Sequence, residues 1–328
     1  MFLVVIGFAY QQMATARDRQ AMPMRGELVS VGDYQLHLVC EGAGSPTVLF
    51  ESGFGSWSVD WLHLQQELAQ ETRVCSYDRA GLGWSEGAGR VLTVEAMARN
   101  LHTLLANGGE SGPYVLVGHS LGGILVRAFY GQYGDEVAGM VLVDSAHENQ
   151  TQRTAEVVGG EGRESDPLQI VLQICRVVGP VGVIRLLGVP DAFFGGLSYS
   201  EEQYEEVMGL ANQNGYCEAM QYENELVWMF TQEEQALVDL EDVPLLVLSN
   251  VMTAEQVLSV SGVAEVTAEE MADLERSLQV ANELSQELAA LSTAGEWRPI
   301  TNTTHYIHLD KPEVVLAGIW DVLEEVTE

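Results

Sequence analysis

The chain has 328 residues, 47% of them hydrophobic, enough for one large domain or for a core that carries an insertion. Its 48 acidic residues outnumber 15 basic ones, giving a net charge of −33, and Lys311 is its single lysine. Such a surface repels phosphate backbones and anionic lipid, which excludes nucleic-acid binding and leaves membrane contact only to a segment without those charges.

One segment fits that description. Met1 to Ala16 carries no charged side chain. Its apolar part, Phe2 to Tyr10, is shorter than the roughly 20 residues that cross a bilayer. Ala14-Thr15-Ala16 resembles a cleavage site, but the basic stretch that opens a signal peptide is missing. The segment, residues 1–25 as a unit, reads either as a helix docked on the body or as the remnant of an anchor. Within it, Arg17, Arg19 and Arg25 follow the uncharged stretch, as basic residues flank anchors on the cytoplasmic side. A cytoplasmic and an N-terminally membrane-associated location both stay open.

From Glu27 the pattern is β. Leu28–Val31, a Gly32-Asp33 turn and alternating Gln35–Cys40 predict a hairpin. Thr47–Phe50 predicts a buried strand, Trp61–Ala69 a helix, and Arg73–Tyr77 the next strand, followed by the turn Asp78–Gly83. Thr93 is positioned to cap a helix running to about Ala106. Tyr114–His119, a second helix and Val141–Asp144 continue the alternation, which predicts an α/β, doubly wound, mostly parallel sheet. The rhythm breaks after His147. Residues 148–242 read as polar loop and helices without a buried strand, with bulk from Phe193, Phe194, Trp228, Met229 and Phe230. A helical insertion at this point reads as a cap over the sheet's carboxyl ends, dividing the core into 26–147 and 243–328. The core resumes at Pro244–Ser249, continues through an acidic helix near Thr267–Leu291 and an edge-like strand Trp297–Thr301, and closes with a helix opened by Pro312.

Cys40, Cys75, Cys175 and Cys217 show no C-x-x-C spacing, so a zinc site has no support. Cys40 and Cys75 lie in predicted strands and read as buried thiols; a Cys175–Cys217 disulfide is left open.

The chemistry concentrates at Gly118-His119-Ser120-Leu121-Gly122, between an apolar strand and an amphipathic helix. Gly-x-Ser-x-Gly in that context is a nucleophile elbow: the turn exposes Ser120 Oγ above the strand and aims a helix N-terminus at the developing charge. A serine here argues against epoxide hydrolase or dehalogenase chemistry, which needs a carboxylate nucleophile. Of seven histidines, His305 stands just past the last strand, where the groups of an α/β site gather, with His308 its competitor and His147 a residue that could line the site. For the acid that orients the base, Asp144 is favoured and Glu255 is the alternative, and either preserves the order Ser–acid–His. The oxyanion donors are expected from Leu121 N–H and from Phe54 N–H, flanked by Gly53 and Gly55.

With Ser76–Ser85, Gly118–Gly123, Val141–Asp144 and Thr304–Pro312 in view, the chain from about Arg25 onward resembles the α/β-hydrolase superfamily of serine esterases. The resemblance implies eight strands, a helical cap, and cleavage of esters or related acyl bonds without metal or organic cofactor. Two features depart from the usual pattern. Ser52-Gly53 stands where His-Gly is common, and no carboxylate follows Pro244–Ser249 before Glu255. The expected partner is a small hydrophobic ester; the different class of reading is a ligand-binding sensor on the same fold. Oligomeric state is not legible.

Overall fold

The computed structural model describes residues 2–158, 167–230, 237–261, 263 and 266–327. Eight strands form one sheet: β1 (Glu27–Ser30), β2 (Gln35–Glu41), β3 (Thr47–Glu51), β4 (Val74–Tyr77), β5 (Tyr114–His119), β6 (Val137–Val143), β7 (Leu245–Asn250) and β8 (Gly295–Ile300). Their order is β1-β2-β4-β3-β5-β6-β7-β8. The β1–β2 and β2–β4 pairs are antiparallel and the remaining neighbours are parallel.

The apolar runs are continuous because the central strands are covered on both faces. Along β3, Val48 and Phe50 enter one core while Leu49 enters the other, as the two-residue period of a strand requires. One face carries the helices Val94–Asn107, Leu121–Tyr133 and Ala268–Ala289 through Leu104, Phe129 and Leu288. The opposite face carries Leu62–Leu68 and Pro312–Thr327 through Leu64, Val315 and Ile319. Thr93 caps its helix by accepting from Ala96 N–H.

Between β6 and β7 the described residues hold helices and turns; residues 159–166 and 231–236 and the Phe230 side chain lie outside them. Phe194, Val207, Leu210 and Ala219 pack on Trp57, Val59 and Leu82, on the loops after β3 and β4. Leu226 packs on Leu121 and Ile124 at the head of the elbow helix. The insertion therefore rests over the sheet's carboxyl ends. Phe194 is buried, whereas Phe193, Trp228 and Met229 are exposed. Where a polar loop is expected after His147, Gln150–Val158 is a helix, tied to the Ala268–Ala289 helix by Arg153 on Glu283 and Glu287.

The reading of Cys40 and Cys75 as thiols is corrected: they form a disulfide, as do Cys175 and Cys217. Antiparallel pairing of β2 with β4 sets Cys40 directly opposite Cys75, their Cα atoms 4.1 Å apart. That register joins residues 35 apart in sequence, which neither strand's pattern reveals.

The N-terminal segment is a helix, Phe2–Ala21. Its second half is docked on the insertion: Gln11 is buried and donates to Asn212 O at 2.6 Å, Arg19 donates to Gln213 Oε1, and Asp18 pairs with Arg185 at 2.7 Å. Its first half exposes Phe2, Leu3, Val4, Val5 and Ile6 in succession. Among the described residues, no helix is long and apolar enough to cross a membrane.

Candidate active site

Ser120 sits between β5 and the Leu121–Tyr133 helix with φ 51° and ψ −120°, a conformation costing a non-glycine residue about 1–3 kcal/mol. The strain is held by close packing. A Cβ on Gly118 would fall 2.7 Å from Gly122 O; one on Gly122 would collide with Glu51 O, and one on Gly123 with Ser145 Oγ. Ser120 N–H donates to Val143 O at 3.2 Å, and Ala146 N–H donates to Ser120 O at 3.0 Å, locking the elbow to the end of β6.

Asp144 follows directly on β6 and also has a positive φ, 42°. Its N–H donates to Leu248 O at 2.7 Å, and its Oδ1 accepts Asn250 N–H at 2.9 Å. Oδ2 is left to face His305 Nδ1 at 2.7 Å. Arg127, buried on the elbow helix, steadies the next residues by donating to Ser145 Oγ and Ala146 O, both at 2.9 Å, and to Glu148 Oε1 at 2.8 Å. Sequence reasoning missed Arg127; an arginine among Ile124, Leu125, Ala128 and Phe129 was the available signal.

His305 is half exposed, on a short loop between β8 and the helix Ile307–Asp310. Asp310 pins that loop, its Oδ2 accepting from both Thr304 N–H and Thr304 Oγ1 at 2.7 Å. Burial works against the Asp310 charge, but donors from Ser198 and Thr304 prevail and hold its carboxyl below the usual range. From beneath, His119 Nε2 donates to His305 O at 3.0 Å. Burial, with His308 and His305 beside it, holds His119 well below the ordinary imidazole value, so its ring is neutral and supplies that donor.

The competitors stand elsewhere. His308 is buried and stacked on Trp61, ring centroids 4.5 Å apart, behind His119 rather than against Asp144. His147 turns toward Glu287, 3.6 Å away. Glu255 is exposed in the first turn of the Ala254–Ser261 helix, where local backbone and Thr253 donors lower its carboxyl.

The loop after β3 runs against Ser120: a Cβ on Gly53 would fall 2.7 Å from His119 Nδ1 and 3.2 Å from Ser120 Cβ. Phe54, next in the chain, is half-buried against the apolar cluster of Leu121, Ile124 and Leu226. Beneath this loop lies a buried charge network. Arg79 pairs with Glu51 at 2.8 Å and Glu223 at 2.6 Å, and Tyr77 OH donates to Glu51. Burial opposes the Arg79 charge, but Glu223 and Glu51 override it and hold the guanidinium above the ordinary arginine value. Glu223, one of 48 acidic residues, gave no sequence signal. On the far side, Asp78 accepts from His37 Nδ1 at 2.8 Å and from Ser58 N–H at 3.0 Å, bracing the turn after β4.

The family model for the alpha/beta hydrolase fold matches residues 46–161, which include the Phe54 loop, Ser120 and Asp144. An uncharacterized protein of Schizosaccharomyces pombe is 29% identical over 198 residues, 51% of this chain and 35% of that protein, so the match spans about a third of that relative. An AB hydrolase superfamily protein of Gibberella zeae is 26% identical over 92% of this chain and 97% of its own length. Among solved structures, an esterase from Thermogutta terrifontis superposes with a TM-score of 0.62 at 21% identity, covering 93% of this chain and 99% of the esterase, a likeness of fold. Elbow, sheet order and these matches point the same way: the chain has the α/β-hydrolase fold.

Proposed function

We propose that the protein is a serine hydrolase that cleaves a carboxylic ester, or a related acyl bond, through an acyl-enzyme on Ser120. The observation that carries this reading is the 2.7 Å approach of His305 Nδ1 to Asp144 Oδ2, beside a strained serine elbow. The fold and its hydrolase relatives support hydrolysis in general terms.

In this mechanism Ser120 Oγ attacks the acyl carbon while its proton passes to His305 Nε2. Asp144 keeps Nδ1 protonated, so Nε2 is the free base, and steadies the imidazolium that forms. Leu121 N–H and Phe54 N–H hold the oxyanion. Collapse of the intermediate expels the alcohol, which takes the proton from Nε2. Water then attacks the ester carbon with His305 as base, releasing the carboxylic acid and restoring Ser120. Phe54, Leu121, Leu226 and Val227 offer an apolar wall beside the serine, which supports a hydrophobic acyl or alcohol group. No resident metal or cofactor enters this scheme.

A fluorophosphonate probe tests it. Wild type is expected to carry one adduct, mapped to Ser120 by mass spectrometry, and Ser120→Ala none, with turnover of a p-nitrophenyl ester lower by about 10⁶-fold. Full turnover by Ser120→Ala would end the proposal. A folded wild type that shows a thermal shift with ester ligands, yet takes no label and releases no product, would favour the sensor reading.

A further inference from the structure

We propose that Glu223, carried on the inserted helix Tyr216–Phe230, is a positioning residue for the oxyanion loop, so that seating of the insertion and alignment of the Phe54 amide are one event. The inference rests on the serine-hydrolase reading and assigns a part to a residue that touches no substrate.

The argument begins with the peptide unit. Gly53 C=O and Phe54 N–H belong to one planar trans amide, so fixing the direction of the oxygen fixes the N–H the opposite way. Arg79 Nη2 donates to Gly53 O at 2.6 Å, and Arg79 Nη1 donates to Ser52 O at 2.6 Å. The guanidinium thereby aims the Phe54 N–H away from itself. A charged donor on the carbonyl also polarises the amide, strengthening the N–H as a donor in turn. The next two peptides are held from the insertion. Gly55 N–H donates to Glu223 Oε2 at 2.8 Å, and Tyr216 OH donates to Gly55 O at 3.2 Å.

Glu223 closes the ring, because its other oxygen accepts Arg79 Nε–H at 2.6 Å. Both peptides flanking Phe54 thus answer to one carboxylate, directly at Gly55 and through Arg79 at Gly53. Glu223 and Arg79 are each 3% exposed, so water offers neither partner a ready substitute. Gly55 has φ +68°, and a side chain there would run into Met220 of the same helix. The loop thus packs directly against the insertion at Gly55.

Glu223→Gln tests the coupling. Glutamine keeps the shape but offers one acceptor oxygen to two donors, Arg79 Nε–H and Gly55 N–H. The expected result is a kcat for p-nitrophenyl ester hydrolysis lower by about 10²-fold, the scale of one disturbed oxyanion donor, with KM within about threefold. The fluorophosphonate labelling rate should fall alongside kcat while the melting curve stays cooperative. Tyr216→Phe, which removes only the hydroxyl from Gly55 O, is expected to lower kcat by roughly 3- to 10-fold, and it decides the matter if the glutamine variant does not fold. Wild-type kcat and labelling rate in a folded variant, or a loss confined to KM, would overturn the coupling. Absence of label on wild type would instead overturn the serine-hydrolase reading, and this inference with it.

Discussion

His305 Nδ1 and Asp144 Oδ2 lie 2.7 Å apart although their strands, β8 and β6, are separated in the sheet by β7. Asp144 spans the gap because its backbone turns at a positive φ and its second oxygen is anchored on Asn250 N–H, at the end of the intervening strand. Asp144→Asn is therefore expected to lower kcat by up to about 10⁴-fold, the cost of losing the tautomer that frees Nε2. Glu255→Gln should leave turnover unchanged, since Glu255 is exposed and occupied by its own helix turn. Ester hydrolysis by both variants checks this; a selective loss in Glu255→Gln would move the acid there.

The buried His37–Asp78 pair gives stability a defined pH dependence. Burial alone would depress His37, but Asp78 overrides it and the imidazole titrates above its ordinary value; Asp78 in turn is held below its own. His37 Nε2 also faces Arg25 O, so both ring nitrogens donate, as an imidazolium does. A raised histidine contributes fully below its unfolded value of about 6.5 and loses that contribution as pH rises through the folded one; a depressed carboxylate contributes above about 4 and loses it as pH falls. The stability gap between wild type and His37→Ala should thus peak between about pH 4 and 6.5 and shrink at alkaline pH. At the peak it should reach roughly 3–5 kcal/mol, since Asp78 is left buried and unpaired. Denaturant titrations across pH measure it, and a gap that widens above pH 8 would contradict the assignment.

Two disulfides predict a redox-dependent stability. Closing the 35-residue span between Cys40 and Cys75 is worth roughly 3–4 kcal/mol on chain-entropy grounds. Cys40→Ser/Cys75→Ser should lower the melting temperature, and peptide mapping without reductant should recover the 40–75 and 175–217 linked pairs. Free thiols at all four positions in oxidised protein would refute it.

The exposed apolar run Phe2–Ile6 predicts contact with a neutral bilayer surface. The 328-residue chain is expected to co-float with phosphatidylcholine vesicles, and a chain lacking residues 2–9 is expected to remain at the bottom of the gradient. The shorter deletion should hardly alter the melting temperature, whereas removing residues 2–21 should lower it, because Gln11, Asp18 and Arg19 hold the insertion. Equal flotation of the full and shortened chains would exclude the segment as the contact.

Much of the fold is legible in the sequence because local signals carry it. The apolar runs of β3, β5 and β7, the Thr93 cap and Pro312 at the start of the last helix are each written within a few residues. The elbow is legible for the same reason. What stays hidden depends on register and packing between distant segments. Cys40 meets Cys75 only once β2 pairs with β4, and Arg79 meets Glu223 across 144 positions. The helix Gln150–Val158 escapes notice because it buries no residue of its own and is placed by its packing on the distant Ala268–Ala289 helix, to which Arg153 also pairs.

The position of Asp144 at the end of β6 has a consequence for how this molecule can change. The turn after β7 has only main-chain duties near the site: Asn250 N–H serves Asp144, and Val251 N–H donates to Ile300 O at 2.8 Å. Beyond it, among the described side chains, the surface helix Ala254–Ser261 contributes none to the His305–Asp144 pair. With Asn250 and Val251 kept, the helix Ala254–Ser261 can lengthen, shorten or accept a grafted module without displacing a reacting atom, and it is where lineage drift or a designer's fusion would meet the least resistance.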